Sequence, residues 1–152
     1  MCQKTIIMKE RMNIDAAEAG IYKAMNAAEK QISTFKIEKK LAELIKLRTS
    51  QLNGCGYCVN LHSQDARKAG ETEQRVFAIS AWWETPFFSE AERAALKLAE
   101  EITRIQEAGL REETFQNAKK YFSETEIAQL IFITTVTNSW NRITISMHMV
   151  AE

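Results

Sequence analysis

Residues 54–62, GCGYCVNLH, hold two thiols and an imidazole within one short stretch of the chain. Gly54 is a typical helix terminator, so one helix should end there and the next should begin at Cys55. Side chains three and four positions apart share one face of a helix. Cys55, Cys58 and His62 should therefore project together. The stretch predicts two helices joined by a short turn, with a redox site or a metal site where the second helix begins.

The rest of the chain also favours helix. Its 152 residues include only five glycines and one proline, so there are few helix breakers. Runs of apolar residues with helical period follow possible capping boxes, at Asp15/Glu18, Ser89/Glu92 and Ser123/Glu126. The β-branched run 134–137 favours strand, but a single strand would have no partner. We predict an all-α helical bundle of about six to seven helices, forming one domain over residues 1–152, with residues 1–10 as a poorly ordered extension.

The charge balance excludes several classes of function. Lysine plus arginine and aspartate plus glutamate each number 20, so the formal net charge is zero and no basic surplus points to nucleic acid. No apolar run is long enough for a membrane span or a signal peptide. We therefore expect a cytoplasmic protein with no nucleic-acid or membrane partner. In that reducing compartment a Cys-x-x-Cys pair is typically catalytic or metal-binding rather than a static disulfide.

The spacing of the polar groups predicts a thiol nucleophile with a base beside it. Cys58 falls in the first turn of its helix, where free N–H groups and the helix dipole favour a thiolate. His62 lies one turn further on and can take the thiol proton, while Cys55 can attack an oxidised Cys58 and close a disulfide. Glu43, on the preceding helix, would face His62 and orient it if the two helices pack antiparallel.

Zinc is the main chemical alternative at this site. Cys55, Cys58, His62 and His148 could supply a Cys₂His₂ ligand set. Structural zinc is common in small domains with thin cores, whereas this chain is 45% hydrophobic and has enough apolar residues for a core. A zinc site would also leave Glu43 without a role. We therefore expect no metal and no cofactor, and we assign no role to Cys2.

The residues Glu43, Cys55, Cys58 and His62, at the spacing E-x11-C-x2-C-x3-H, resemble the alkyl hydroperoxidase D-like branch of the carboxymuconolactone decarboxylase superfamily. The resemblance covers roughly residues 11–147 and includes several flanking segments, at residues 22–25, 47–55, 65–71, 81–89 and 139–143. It implies an all-helical fold, assembly into trimers or hexamers, and a cofactor-free thiol peroxidase activity. Members that lack the cysteine pair are decarboxylases, so the pair speaks against that chemistry.

Carried over to this chain, the resemblance makes Cys58 the thiol that attacks a hydroperoxide and Cys55 the resolving thiol. Glu43 and His62 become the proton relay, and an external dithiol, lipoyl or thioredoxin-like, becomes the reductant. Tyr57 stands where the best-studied members have a histidine, and a phenol does not replace an imidazole near neutral pH.

Two other functions and several residues stay open at this point. The same cysteine pair could serve a general disulfide reductase or redox adaptor, or zinc could stabilise a helical interaction module. The adjacent aromatic pairs Trp82-Trp83 and Phe87-Phe88 exceed what a small monomer easily buries, so we expect a homo-oligomer, and the family resemblance implies a homotrimer or homohexamer. Asn141 and Arg142 receive no role, and His148 is expected at the surface or an interface.

Overall fold

The computed structural model describes residues 9–151. Within this range the secondary structure consists of helices, and no strand is formed, which confirms the all-α prediction. The predictions for Cys2 and for most of the N-terminal extension fall outside the described residues. The one-domain assignment for residues 1–152 stays a prediction. The elements are α1 (Ile14–Ala17), α2 (Ala19–Ile32), α3 (Lys39–Asn53), α4 (Gly56–Lys68), α5 (Glu73–Ala78), a 3₁₀ helix (Ile79–Glu84), α6 (Glu90–Thr103), α7 (Ile105–Ala108), α8 (Glu112–Ala118) and α9 (Glu124–Met147).

Seven of the helices between residues 9 and 151 correspond to the predicted bundle of about six to seven helices. The additional α1 and α7 are four residues long, and the 3₁₀ helix extends α5 toward Pro86. Complete capping boxes form at Ser89 and Ser123, as the sequence indicates. Residues 134–137 are helical within α9, and the hydroxyls of Thr134, Thr135 and Thr137 each donate to the carbonyl four residues back.

The predicted capping box at Asp15 and Glu18 is wrong. Asn13 caps α1 instead, since its side-chain oxygen accepts the backbone N–H of Ala16 at 2.9 Å. The chain then leaves helical geometry at Glu18, whose φ is −153°, and α2 begins at Ala19. Asparagine and aspartate cap helices about equally well, so the sequence pattern alone does not choose between Asn13 and Asp15.

Helix α3 lies at the centre of the molecule. It packs against α4, α6 and α9, and the whole segment Leu41–Ser50 is buried. Leu44 and Leu47 pack in an apolar cluster with Ile79 and Leu96, whereas Ile45 belongs to a second cluster that includes residues of α6 and α9. The central position of α3 forces its polar residues into the interior as well, where they need partners.

The buried charges of α3 are paired. The Arg48 guanidinium donates to Glu100 at 2.7 Å, and the Trp82 indole N–H donates to the same carboxylate oxygen at 2.8 Å.

None of the helices in residues 9–151 has both the length and the apolar character needed to cross a membrane.

Glu101 joins α6 to the start of α8, and its loss should weaken the fold. Its carboxylate accepts the backbone N–H of Arg111 at 3.0 Å and the Thr114 hydroxyl at 2.9 Å. Burial alone would raise the pKa of Glu101, but these hydrogen bonds outweigh it, and the pKa lies below the ordinary value of 4.5. The stabilisation is therefore fully present above about pH 4.5 and is lost as the pH falls through the lowered pKa.

We expect Glu101→Gln to lower the free energy of unfolding at neutral pH by about 1–3 kcal/mol. Denaturant unfolding at pH 7 and again below pH 4.5 should show the difference from wild type shrinking on acidification. Glu107→Gln, on the exposed face of α7, is the control and should unfold like wild type. A Glu101→Gln deficit that is equal at both pH values would contradict the assigned role of the charge.

Candidate active site

The turn between α3 and α4 sets the position of both cysteines. Gly54 ends α3 with φ +68°, a left-handed conformation that other residues adopt only at a cost. Cys55 follows in extended geometry and caps α4, because its Sγ atom accepts the backbone N–H of Cys58 at 3.3 Å. The two-residue link folds α4 back along α3, which is the arrangement that the sequence analysis assumed.

Cys55 and Cys58 form a disulfide bond, with their Cα atoms 5.3 Å apart. Cys58 occupies the first turn of α4, where backbone N–H groups have no helical acceptor. Both residues are buried, with 1% of Cys55 and 3% of Cys58 exposed. An incoming reagent must therefore reach the pair through a cavity.

Glu43 and His62 meet between α3 and α4. The His62 Nδ1 atom lies 3.0 Å from Glu43 Oε2, and the Lys46 ammonium lies 3.6 Å from the other carboxylate oxygen. Burial alone would raise the pKa of Glu43, but the hydrogen bond to His62 and the charge of Lys46 outweigh it and hold the pKa below 4.5. Glu43 is therefore ionised at neutral pH, and its carboxylate accepts a hydrogen bond from the Nδ1–H group of His62. This leaves Nε2 of His62 as the ring atom that can take a proton.

A cavity of about 380 Å³ opens beside these groups. Its apolar and aromatic lining residues are Tyr22, Tyr57, Leu61, Trp140 and Met149, and its polar lining includes Asn26, Glu29, Lys46, His62 and Asp65. The rings of Tyr22 and Trp140 pack edge to face at 5.6 Å. Cys58 and Thr144 complete the wall, so a small organic molecule in this cavity would lie against Cys58.

The two residues of α9 that the sequence analysis left open have different environments. Asn141 is fully buried, donates to the Ser50 hydroxyl at 3.0 Å and accepts the Asn53 side-chain N–H at 2.8 Å. Arg142 is exposed and donates to the Asn138 carbonyl at 2.9 Å. Asn141 therefore joins α9 to the end of α3 immediately before the cysteines, whereas Arg142 contacts its own helix.

Two further residues lie around the cysteines. The Thr144 hydroxyl oxygen lies 3.3 Å from Cys58 Sγ, a contact that the sequence analysis missed. Its only signal in the sequence is its position three residues after Asn141, on the same face of a helix. His148 ends α9 in left-handed geometry and lines a neighbouring cavity of about 430 Å³ together with Cys55 and Tyr57.

The Cys₂His₂ set that the zinc alternative requires is not assembled within residues 9–151. In residues 9–151 the only group of three such side chains with mutually close ligand atoms is Glu43, His62 and Asp65, whose atoms lie within 4.8 Å of one another. Glu43 and His62 already bond to each other, and Asp65 pairs with Lys68 at 3.1 Å. Each member of this group therefore already has a protein partner.

The fold and the site define an all-helical protein with a Cys-x-x-Cys disulfide at a helix start and a Glu–His pair beside it. The sequence matches the carboxymuconolactone decarboxylase family over residues 19–101. The uncharacterized protein YdfG of Bacillus subtilis is 42% identical over 125 residues, which are 82% of this chain and 85% of YdfG. The chain therefore belongs to the carboxymuconolactone decarboxylase family.

Solved structures place the chain in the alkyl hydroperoxidase D-like branch of that family. A protein of unknown function from Agrobacterium tumefaciens, for which an AhpD-type antioxidant-defence role has been suggested, is 33% identical with a TM-score of 0.92. The alignment covers 95% of this chain and 99% of that one. The debrominase Bmp8 is 26% identical with a TM-score of 0.78, over 90% of this chain and 74% of its own. The relatives thus include an enzyme.

Proposed function

We propose that this protein is a thiol-dependent peroxidase that reduces organic hydroperoxides through Cys55 and Cys58. The observation that carries the proposal is the Cys-x-x-Cys disulfide at the start of α4, beside the Glu43–His62 pair and at the wall of a cavity. The cavity gives an organic molecule access to Cys58. No cofactor is needed, because the two thiols carry both electrons.

The proposed cycle begins with the reduced pair. The Cys58 thiolate attacks the terminal oxygen of the hydroperoxide, the O–O bond breaks, and the alcohol leaves with a proton from His62 while Cys58 becomes a sulfenic acid. The Cys55 thiol then loses its proton and attacks the Cys58 sulfur, which releases water and forms the disulfide. An external dithiol, lipoyl or thioredoxin-like, reduces that disulfide by exchange. We place this cycle in the cytoplasm, where such dithiols are kept reduced.

His62 and Glu43 have distinct parts in this proposal. His62 takes the thiol proton from Cys58 before the attack and returns it to the leaving oxygen. Glu43, ionised and hydrogen-bonded to Nδ1, orients the imidazole and stabilises its protonated form. The Lys46 ammonium, which also lies near Glu43, is 3.2 Å from the Glu29 carboxylate on α2. The cluster of charged side chains around His62 therefore continues to α2. Tyr57 lines the cavity but cannot act as a second imidazole base.

Titration with peroxide tests the proposal. One equivalent of cumene hydroperoxide should remove two free thiols per reduced chain, and a subsequent dithiol should restore them. A dimedone-type reagent should trap the sulfenic acid on Cys58 in Cys55→Ser, where the disulfide cannot form. If peroxide leaves the thiols reduced while protein disulfides still exchange with the pair, the protein is a general disulfide reductase instead.

Reductive dehalogenation is a second candidate, favoured by the aromatic lining of the cavity beside Cys58. The similar debrominase Bmp8 has been crystallised in complex with 2,3,4-tribromopyrrole. In such a reaction an aryl bromide and two thiols yield the debrominated ring, a disulfide, bromide and a proton. Incubating the reduced protein with a bromopyrrole and measuring bromide distinguishes this reaction from peroxide reduction.

We also propose that the chain assembles into a homotrimer or homohexamer. Trp82 and Phe88 are buried within the chain, but Trp83 is 49% exposed and Phe77 is 76% exposed. Exposed large aromatic side chains are common where subunits meet. Light scattering at micromolar concentration should give the mass of three or six chains, and a monomer mass would contradict the assembly.

A further inference from the structure

The hydroxyl of Thr144 is a polar group in contact with the reacting sulfur, on a helix that the proposed cycle does not use. Its oxygen lies 3.3 Å from Cys58 Sγ, and only 4% of Thr144 is exposed. The contact joins residues 86 positions apart in the chain. A buried hydroxyl next to a sulfur that alternates between disulfide and thiolate can change its hydrogen-bond partner with the redox state.

The position of the hydroxyl proton in the disulfide form follows from the partners present. The Thr144 hydroxyl donates to the Trp140 carbonyl, four residues back in α9. A hydroxyl has one proton to donate, and a disulfide sulfur is a weaker acceptor than a carbonyl. The Trp140 carbonyl also has its regular helical N–H partner within α9, so it does not depend on the hydroxyl.

We propose that Thr144 is a further catalytic residue, whose hydroxyl turns from the Trp140 carbonyl to donate a hydrogen bond to the Cys58 thiolate once the disulfide is reduced. The turn requires only rotation about the side-chain bonds, and no proton leaves the hydroxyl. A hydrogen bond to an anion is stronger than one to a neutral carbonyl, so the thiolate wins the competition. The inference rests on the proposed role of Cys58 as the attacking thiol.

The structure holds Thr144 in place for this role. Asn141, one turn earlier on α9, is hydrogen-bonded to Ser50 and Asn53 near the end of α3. The same end of α3 leads through Gly54 directly into the cysteine pair. The distance between Thr144 and Cys58 is therefore set by buried hydrogen bonds between α3 and α9, not by a mobile side chain alone.

Other groups around the cavity also influence the charge on Cys58. The titratable residues that line the cavity belong to α2, α3 and α4, and α9 contributes none. These titratable residues are Tyr22, Glu29, Lys46, Tyr57, His62 and Asp65. Thr144, whose hydroxyl oxygen lies 3.3 Å from Cys58 Sγ, differs from all of them because it keeps its proton over the working pH range. Its effect should therefore shift the midpoint of Cys58 ionisation without adding a new ionisation.

The test measures alkylation of Cys58 by iodoacetamide across pH in the reduced full-length protein, with each cysteine resolved by mass spectrometry. We expect Thr144→Val, which replaces the hydroxyl with a methyl group, to raise the midpoint for Cys58 by about one pH unit. The Cys58 alkylation rate below the midpoint should fall about tenfold. Thr144→Ser keeps the hydroxyl and should retain the wild-type midpoint.

Thr137→Val is the matched control. Thr137 is buried in the same helix, and its hydroxyl also donates to the carbonyl four residues back, at 2.8 Å from Ile133. This control should leave the Cys58 midpoint unchanged. Thr144→Ala serves as a second hydroxyl-free variant if the valine disturbs folding, which thermal unfolding reports.

The proposal is overturned if Thr144→Val and Thr144→Ala keep the wild-type midpoint. It is also overturned if Thr144→Ser shifts the midpoint as much as they do, since packing and not the hydroxyl would then be responsible. Alkylation reports the thiolate without any peroxide. A wild-type protein that alkylates as expected but does not reduce hydroperoxides would therefore contradict the proposed function and leave the role of Thr144 intact.

Discussion

Cys58→Ser is expected to abolish peroxide turnover, whereas Cys55→Ser should still react with peroxide once. A serine hydroxyl is a far weaker nucleophile than a thiolate, and removal of an activated nucleophile typically costs at least about 10⁴-fold in rate. Cys55 is assigned to the second step, so its loss should leave the attack on peroxide intact. The sulfenic acid on Cys58 then has no internal partner, and steady-state turnover with a dithiol should be slow.

Two measurements separate the assignments. Rapid mixing with one equivalent of hydroperoxide should show single-turnover consumption in Cys55→Ser and none in Cys58→Ser. Steady-state turnover with an excess of dithiol should be strongly reduced in both variants. Cys2→Ser, which removes the thiol outside the pair, is the control and should behave as wild type. If the single turnover survives in Cys58→Ser and is lost in Cys55→Ser, the roles of the two cysteines are reversed.

Glu43→Gln and His62→Gln should each lower peroxide turnover, and their effects should not add. His62→Gln removes the group that accepts the thiol proton, and loss of a general base typically costs about 10²–10⁴-fold. Glu43→Gln keeps the shape of the side chain but removes the charge that stabilises a protonated His62, so its effect should be smaller. Because both residues act on one proton, the double variant should resemble His62→Gln alone.

The pH dependence gives a second readout of the same pair. The pKa of Glu43 lies below 4.5 because the His62 hydrogen bond and the Lys46 charge outweigh burial. The carboxylate therefore stays charged at every pH above that value, and the wild-type advantage over Glu43→Gln should persist across the neutral range. It should shrink only when acid protonates Glu43. Turnover and Cys58 alkylation measured over the same pH series should fall together.

Glu101→Gln is the matched control for the relay. Glu101 is also a buried, hydrogen-bonded carboxylate, but its partners are Arg111 and Thr114, and it does not line the cavity of Cys58. Its substitution should lower stability and leave turnover and alkylation unchanged. If Glu43→Gln also keeps the wild-type alkylation profile and rate, Glu43 is a structural carboxylate, and the reactivity of Cys58 depends on the helix start and His62 alone.

Local interactions explain which features could be predicted from the sequence. The capping boxes at Ser89 and Ser123 each involve residues three positions apart, so the helix starts are visible in the sequence. The break at Gly54 and the spacing of the two cysteines are equally local. The Glu43–His62 contact required only the assumption that two helices joined by a short turn lie side by side. The catalytic roles assigned to these residues stay predictions.

Other features depended on a choice between local alternatives or on position in the fold. Asn13 caps a helix in place of the predicted Asp15, because two capping residues of similar strength lie two positions apart and local preference does not choose between them. The burial of the charged residues Lys46 and Arg48 follows from α3 lying between α4, α6 and α9. A helical pattern with charges on several faces does not reveal that central position.

The sequence by itself determined the all-helical fold class, the family and the paired thiols at a helix start, because these depend on short-range spacing and on residue identity. Only the tertiary structure decided what surrounds Cys58. Thr144 and Asn141 reach the end of α3 and the start of α4 from more than 80 positions away in the chain. Their contacts, and the cavity between α2, α4 and α9, exist because the apolar sides of separate helices pack together, and a linear pattern does not specify which side chains then meet.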